Sequence, residues 1–373
     1  MAGIYIHIPF CKQACNYCNF HFSTSLKYKE DVVTAICREL VLRKDYLAGA
    51  AVETVYFGGG TPSLLSEKEL ALIWETIYRN YTLDLKECTL EANPDDVNDA
   101  FLSMLGHTPI NRLSMGVQSF EEADLRFMQR AHTAREAESA IKRAQDAGYS
   151  NLTIDLIYGT PGLSNTLWME NMQKAIRFGI PHVSAYALTV EEHTLLAQQV
   201  GKGKVPAPMT EQAAQQFELM TGFLTAAGFD HYEISNFALP GQYAVHNTNY
   251  WKGVSYLGIG PSAHSFDQVS RQWNVANNAL YIKGIEAGIM NVEREVLSVA
   301  DQLNEYILTA LRTMWGIDRQ YITKRFGTDY LKELDKKIEP FLGDRVQQKG
   351  EQYILTAAGK LFADGIAADL FFD

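Results

Sequence analysis

Along the first half of the chain, short apolar runs rich in β-branched and aromatic residues alternate with longer stretches whose apolar positions recur every three or four residues. The short runs are GIYIHI (3–8), VETVYF (52–57), ECTLE (87–91), NRLSMG (111–116), NLTIDLI (151–157) and HVSAYAL (182–188). Their composition predicts strands. The stretches YKEDVVTAICRELVLR (28–43), SEKELALIWETIYRNY (66–81) and TAREAESAIKRAQDAG (133–148) follow the helical period, and the last closes on a glycine suited to the position after a C-cap. Six strand–helix units in succession predict an α/β fold with a parallel sheet and helices outside it, since parallel neighbours need crossover connections. A seventh run, FDHYEIS (229–235), is expected to add a strand to that sheet. Residues 236–290 lose the periodicity and turn rich in Gly, Asn and aromatic residues, so they read as a connecting region after a core of 1–235. From 291 to 373 the helical period returns and predicts a small, mainly helical C-terminal domain.

The polar oddities fall at the same place in every unit. His7 to Cys18 follow the first strand, GGGTP (58–62) the second and GVQSF (116–120) the fourth, while Glu91 with ANP, Asp155 with YGTPG, and Tyr186 mark the ends of the third, fifth and sixth. The C-terminal edge of a parallel sheet is where loops converge, in a barrel as in an open sheet. A single site assembled from six loops is expected. Helix capping explains any one of Glu91, Gln118 or Asp155 as readily as ligand binding does, but not all six loops together.

Composition narrows the partners. The 373 residues include 47% hydrophobic and 21% charged side chains, with a net charge of −11. No Lys/Arg-dense stretch supplies the concentrated positive surface that nucleic acid or an anionic membrane requires. The first strand begins at Gly3 and no long apolar run follows. A cytoplasmic protein without signal or anchor is expected, reaching the inner face of a membrane only through its partners.

Three of the five cysteines cluster in CKQACNYC as Cys11, Cys15 and Cys18, a C-x3-C-x2-C spacing that suits one loop wrapped round a compact metal centre. Two readings stay open. A structural zinc ion would take a fourth ligand, for which His21 is near enough in sequence. Alternatively, three thiolates from one loop leave an iron of a [4Fe–4S] cluster open to an outside ligand. Cys37 and Cys88 lie in apolar patterns and read as buried thiols. The three glycines after the second strand let the backbone approach a ligand closely and leave amides to donate to it.

Taken together, IYIHIPFCKQACNYCNF, VYFGGGTPS, LEANP, RLSMGVQSF, DLIYGTPG, YEISNFA, HNTNYW and GIGPSAHS resemble the radical S-adenosylmethionine (SAM) superfamily. Within it they are similar to the oxygen-independent coproporphyrinogen III oxidase group. The resemblance covers about the first 270 residues and implies a partial (β/α)6 barrel. It further implies that Cys11, Cys15 and Cys18 ligate a [4Fe–4S] cluster whose open iron is chelated by SAM, with the difficult chemistry belonging to the cofactors. In the implied SAM pocket, Tyr5 and Tyr17 flank the cofactors. Gly59, Gly60 and Thr61 meet the amino acid moiety, and Glu91, Gln118, Arg130 and Asp155 complete the enclosure. Spacing alone would put Arg130 late in a helix, where a basic side chain is usually solvated.

Two branches of the group differ in the opening loop. The dehydrogenase branch, which oxidatively decarboxylates coproporphyrinogen III, has a fourth cysteine two residues after the third and an N-terminal arm. This chain has Phe20 at that position and opens on the first strand. In both respects it resembles the HemW haem chaperones, which bind haem and hand it to haem proteins. The partners so implied are haem, recipient haem proteins including respiratory ones, and a second copy of the chain in a cluster-dependent homodimer. The alternatives are the decarboxylating enzyme and a zinc-stabilised binding protein. For the haem iron, His246 in HNTNYW is the first candidate ligand, flanked by Tyr250 and Trp251, and His264 in PSAHS the second. A hydrogen-bonded structural histidine is the competing reading of His246. Leu163 stands where family members often carry Gln after PG, which bears on one minor contact of the fifth loop.

Overall fold

The computed structural model describes residues 1–373. Strands β1 (Ala2–Ile8), β2 (Val52–Gly59), β3 (Leu83–Ala92), β4 (Arg112–Gln118), β5 (Leu152–Tyr158) and β6 (His182–Ala187) lie side by side in chain order, all parallel. The crossovers carry helices α1 (Lys29–Leu42), α2 (Glu67–Asn80), α3 (Asp99–Leu105), α4 (Glu122–Phe127), α5 (Ala134–Asp146) and α6 (Asn165–Arg177).

Local sequence fixes these boundaries. In α2, Ser66 and Glu69 form a reciprocal capping box, and Leu70, Ile73, Trp74 and Ile77 make the buried stripe. Thr133 and Glu136 cap α5 in the same way. At its other end Gly148 takes φ +93°, its N–H donating to Gln145 O while the Tyr149 N–H reaches Ala144 O. That pair of bonds is the Schellman stop for which a glycine is favoured. Along β1 the pleat sends Ile4, Ile6 and Ile8 into the apolar core and Tyr5 and His7 to the opposite, inner face.

The sheet extends past both ends of the parallel block. The run FDHYEIS supplies β7 (Asp230–Glu233), but it joins through β8 (Asn236–Ala238), which pairs antiparallel with β6. Two helices, α7 (Leu195–Gly201) and α8 (Thr210–Ala226), fill the intervening sequence, and α9 (Val245–Trp251) follows. On the other side β9 (Tyr256–Ile259) pairs parallel with β1. Strands β10 (His264–Phe266), β11 (Ser270–Asn274) and β12 (Val292–Val296) continue antiparallel, with α10 (Asn278–Glu286) packed on α1. Residues 236–290, expected to be a connecting region, thus add β8 at one end of the sheet and β9, β10 and β11 at the other. Their strands are three to five residues long, too short for an alternation signal, and the pairing that orders them lies some 250 residues away in β1.

A buried carboxylate holds this extension to the first unit. Glu39 of α1 accepts from Gly260 N–H (2.9 Å), Asn274 Nδ2 (2.8 Å) and Tyr281 OH (2.6 Å), and pairs with Arg43 (3.3 Å). Arg43 in turn donates to Gly258 O (3.1 Å) and Gln272 Oε1 (2.9 Å).

The C-terminal region begins with α11 (Val299–Leu311) and adds four further helices around a second apolar core. It also contains a three-stranded antiparallel sheet formed by residues 317–318, 346–349 and 352–355. It grips the free edge of β7: Ile234 N–H donates to Arg312 O (3.0 Å), Met314 N–H to Tyr232 O (2.9 Å), and Glu233 pairs with Arg312 (3.0 Å). No helix of the chain is long and apolar enough to cross a membrane.

Replacing Glu39 by Ala leaves Arg43 and three donors buried without their acceptor, and breaking a buried pair from one side costs about 3–5 kcal/mol. Urea denaturation should show a loss of that size, and near-wild-type stability would contradict the anchoring role.

Candidate functional site

The cysteine loop leaves β1 and returns beside it. Cys11 N–H donates to Ser23 O (3.0 Å) and Ser23 N–H to Pro9 O (2.9 Å), which closes the loop at its base. Between these points the loop is fastened by its own polar residues. Gln13 Nε2 donates to Gln129 O (2.8 Å), Asn16 Nδ2 to Phe127 O (2.7 Å), and Leu196 N–H to Asn16 O (2.7 Å). Lys12 pairs with Asp95 and Asp96, and His7 Nε2 bonds His21 O (2.9 Å). The loop's shape is thus set by neighbouring crossovers.

The glycines of GGGTP let this loop sit tightly on the sheet. A Cβ on Gly59, whose φ is +105°, would lie 2.5 Å from the His7 ring, and one on Gly60 would lie 2.6 Å from Phe10 O. The expectation that these amides are left to donate to a ligand does not hold for Gly60, whose N–H bonds Ile8 O at 2.9 Å. Close packing of two βα loops is the physical reason for the motif at this position.

A cavity of about 430 Å³ opens between these loops, lined by Cys11, Cys15, Cys18, Tyr17, Gly59, Gly60, Thr61, Glu91, Gln118, Arg130 and Asp155. Two other predicted residues lie elsewhere. Tyr5 and His246 line a second cavity of about 240 Å³ inside the barrel, which shares Glu91, Ser114, Asp155 and Tyr186 with the first. Tyr5 points inward, its hydroxyl 3.2 Å from His7 Nδ1 and its ring stacked on Tyr56. His246 sits on α9 at the N-terminal ends of the strands, 2% exposed, with Nδ1 on Thr54 Oγ1 and Nε2 on Tyr250 OH, both at 2.8 Å. Burial pushes its pKa down to about 3. Both ring nitrogens of the expected haem ligand are thus engaged by hydroxyls, the arrangement that the structural reading of this histidine calls for.

Arg130 is the opposite surprise. It lies past the end of α4, and its head turns into the cavity, donating to Cys15 Sγ (3.2 Å), Asn93 Oδ1 (2.7 Å) and Gly116 O (2.8 Å). None of these partners is a carboxylate, and its buried Nε has no partner at all. Asn93 also donates to Thr61 Oγ1 at 3.2 Å. Gln118 takes φ +66°, a conformation that costs a non-glycine residue energy and clusters at ligand sites. Sequence reasoning did not single out Asn93 as a site residue, although it lies in the quoted ANP. It also missed Ser114, two pleats before Gln118 on the same face of β4.

These residues fit an iron–sulfur cluster with a bound amino acid cofactor. No three His, Cys, Asp or Glu side chains converge on a single point, and a cubane does not require it, because each thiolate takes a different iron. Burial raises the Cys11 thiol and pushes Cys18 to about 11. A bound cation favours the thiolate against that cost. The open Arg130 Nε offers a donor to an anionic group. His21, weighed as a fourth zinc ligand, has its Nε2 on Asn278 Oδ1 at 2.7 Å.

The family model of the radical SAM superfamily matches residues 5–175. A relative from Mycobacterium tuberculosis, named "Heme chaperone HemW", is 34% identical over 99% of this chain and 94% of its own length. Its Bacillus subtilis counterpart is 32% identical over 98% of both chains. The chain belongs to the HemW branch of the radical SAM superfamily. The solved structure of Escherichia coli coproporphyrinogen III oxidase (HemN) has the same fold, with a TM-score of 0.86 over 99% of this chain and 90% of that one, at 22% identity. This chain thus shares that fold over nearly its whole length. For the radical SAM superfamily the cofactors are SAM and a [4Fe–4S] cluster.

Burial pushes the Glu91 carboxyl from 4.5 up to about 7 and that of Asp155 from 3.8 to about 6. Tyr56 OH donates to Glu91 at 2.7 Å and lowers it in part. A carboxyl raised in the fold contributes stability that is present below its unfolded pKa and lost as pH rises through its folded one. Stability of the cofactor-free chain should therefore fall as pH rises from about 4.5 to about 7. Glu91→Gln should flatten that fall and leave the part due to Asp155. An unchanged slope in denaturant titrations across this range would contradict the assignment.

Proposed function

We propose that this chain is a haem chaperone that binds haem and delivers it to haem proteins, with Cys11, Cys15 and Cys18 holding a [4Fe–4S] cluster and SAM occupying the cavity beside it. The observation that carries the proposal is the cavity itself, in which three thiols, an arginine with an open donor and two raised carboxyls share one enclosure, in a chain similar to HemW proteins from end to end. When bound, the cluster supplies one-electron chemistry to SAM.

The chain's own residues do the positioning. Arg130 balances negative charge at Cys15 and offers Nε to a carboxylate. Glu91 and Asp155 are acceptors for amino and ribose groups when ionised, and donors when protonated. Gln118, Tyr17 and the Gly59–Gly60 turn close the walls. Phe20 stands 68% exposed at the cavity mouth, where the dehydrogenase branch has a fourth cysteine, so the mouth presents an aromatic ring in place of a thiol.

The protein works in the aqueous phase in this reading and meets membranes through its recipients, respiratory haem proteins among them. A cluster-dependent homodimer is expected, and sizing the chain with and without iron tests it.

Anaerobically purified protein should contain about four irons per chain, and Cys15→Ala should abolish that content. The reconstituted protein should take up haem and transfer it to an apo-haem protein while leaving coproporphyrinogen III unconverted in the presence of SAM and reductant. Conversion of the porphyrinogen would establish the decarboxylating enzyme instead, and a colourless zinc protein would exclude both readings.

A further inference from the structure

Between β6 and α8 the chain runs past the mouth of the larger cavity. Leu188, Thr189 and Glu191 of this segment line the cavity, as do Phe20 and Phe22 of the cysteine loop. The segment is anchored at its two ends. Leu188 N–H donates to Tyr158 O (2.8 Å), and Gln212 and Gln216 of α8 each donate to Leu163 O in the loop after β5 (2.8 Å). From Thr189 to Pro208, one hydrogen bond joins the chain to the rest of the protein, from Leu196 N–H to Asn16 O at 2.7 Å.

Helix α7 rides on this segment between two left-handed turns, with His193 (φ +66°) before it and Gly203 (φ +64°) after it. Non-glycine residues held at positive φ cluster at ligand clamps and switch regions. The turn leading into α7 is bonded within itself, since Thr189 Oγ1 donates to Glu191 Oε1 (2.8 Å) and Thr194 Oγ1 to Glu191 O (2.6 Å). Leu196 is the one buried residue of α7. It joins Leu188, Met128 and Ile157 in a small apolar cluster separate from the main core, with Tyr17 packed against it. Around the mouth, Phe20 of the cysteine loop and Tyr186, Val190 and Leu195 at and beyond the end of β6 are all exposed.

We infer that residues 189–208 form a strap that closes over the larger cavity when cofactor is bound, with Leu196 as the latch that ties closure to the state of the cysteine loop. The inference rests on the proposed cluster and SAM site and adds a moving part to it. A segment with one cross-bond and one buried anchor opens at low cost. Its two left-handed turns supply the pivots, and closure over a cofactor shields the site from water. The exposed side chains give closure its drive, because bringing Val190 and Leu195 toward Phe20 removes apolar surface from water. The latch reads the loop directly. Leu196 bonds Asn16 through its N–H and shares an apolar cluster with Tyr17, and both of those residues lie between Cys15 and Cys18. A cysteine loop fixed by metal therefore offers Leu196 a firm seat, and a loop without metal a loose one.

The test is hydrogen–deuterium exchange, read by mass spectrometry on the full chain prepared anaerobically in three states: cofactor-free, cluster-loaded, and cluster-loaded with SAM. Peptides within 189–208 should exchange fast in the first state, slow by about tenfold in the second and slow again in the third, while peptides from β2 to β5 stay protected throughout. Leu196→Ala should return the strap of the loaded chain to the fast rate. Phe20→Ser, at an exposed position, should keep the slowing on cluster loading and lose the further slowing with SAM. Equal exchange of the strap in all three wild-type states would overturn the inference, as would full protection in loaded Leu196→Ala or full slowing with SAM in Phe20→Ser. If Leu196→Ala also loosens β2 to β5, Phe20→Ser decides. A chain that takes up no iron fails the cluster assignment itself, a result read from metal content before any exchange is measured.

Discussion

Parallel pairing constrains everything at this site. A strand can join a parallel neighbour only after a crossover, so each of the loops leaving β1 to β6 opens at the same edge of the sheet. Residues as far apart in sequence as Cys11 and Asp155 come to line one cavity because of that geometry. Close packing then sharpens it. Gly59 and Gly60 let the second loop press against the first, and the hydrogen bonds from Gln13 and Asn16 tie the cysteine loop to the backbone at and just past the end of α4. The same backbone carries Arg130 into the cavity beside Cys15. A loop with little regular structure of its own is thus shaped by three neighbouring units.

What the sequence disclosed follows from the range of the interactions involved. Strand runs and helical stripes are local, and the six parallel strands and the capped helices α2 and α5 lie where the periodicity predicts. The edge rule is also local once the strands are known, which is why eleven of the predicted site residues share a cavity. The extension escaped notice because β9 has four residues and owes its order to β1. The same reasoning covers the misplaced residues. Tyr5 lies on the inner face of β1 like His7, but the barrel's depth puts it in the lower cavity, and strand periodicity carries no information about depth. His246 looked available because its aromatic neighbours are visible in sequence, whereas its partner Thr54 lies 192 residues away. Arg130 looked solvated because nothing nearby in sequence shows that the chain folds back over Cys15.

The two cavities also divide the chemistry by polarity. The larger cavity gathers thiols and raised carboxyls, whose charge state changes with what is bound, around an arginine that stays charged. The smaller is lined by hydroxyls and amides, including Thr89, Thr153, Asn236 and Asn247, together with Arg112, His182 and His246, with Glu91 and Asp155 at the junction. Those two carboxyls therefore sit between Arg130 on one side and Arg112 on the other, and their upward shifts come chiefly from burial. Ligand donors arriving from the larger side would favour the ionised forms, while an empty site favours the protonated ones.

A carrier faces a requirement that an enzyme with a resident haem does not. Its ligand must hold the iron firmly enough to collect it and loosely enough to pass it on, so the off-rate matters as much as the affinity. A histidine such as His246, hydrogen-bonded at both nitrogens under a helix, would need local unfolding at every transfer. The cluster has the opposite need, since its thiolates are protected by enclosure. Strand β1 joins the larger cavity to the sheet extension, with its C-terminal end leading into the cysteine loop and its free edge pairing with β9.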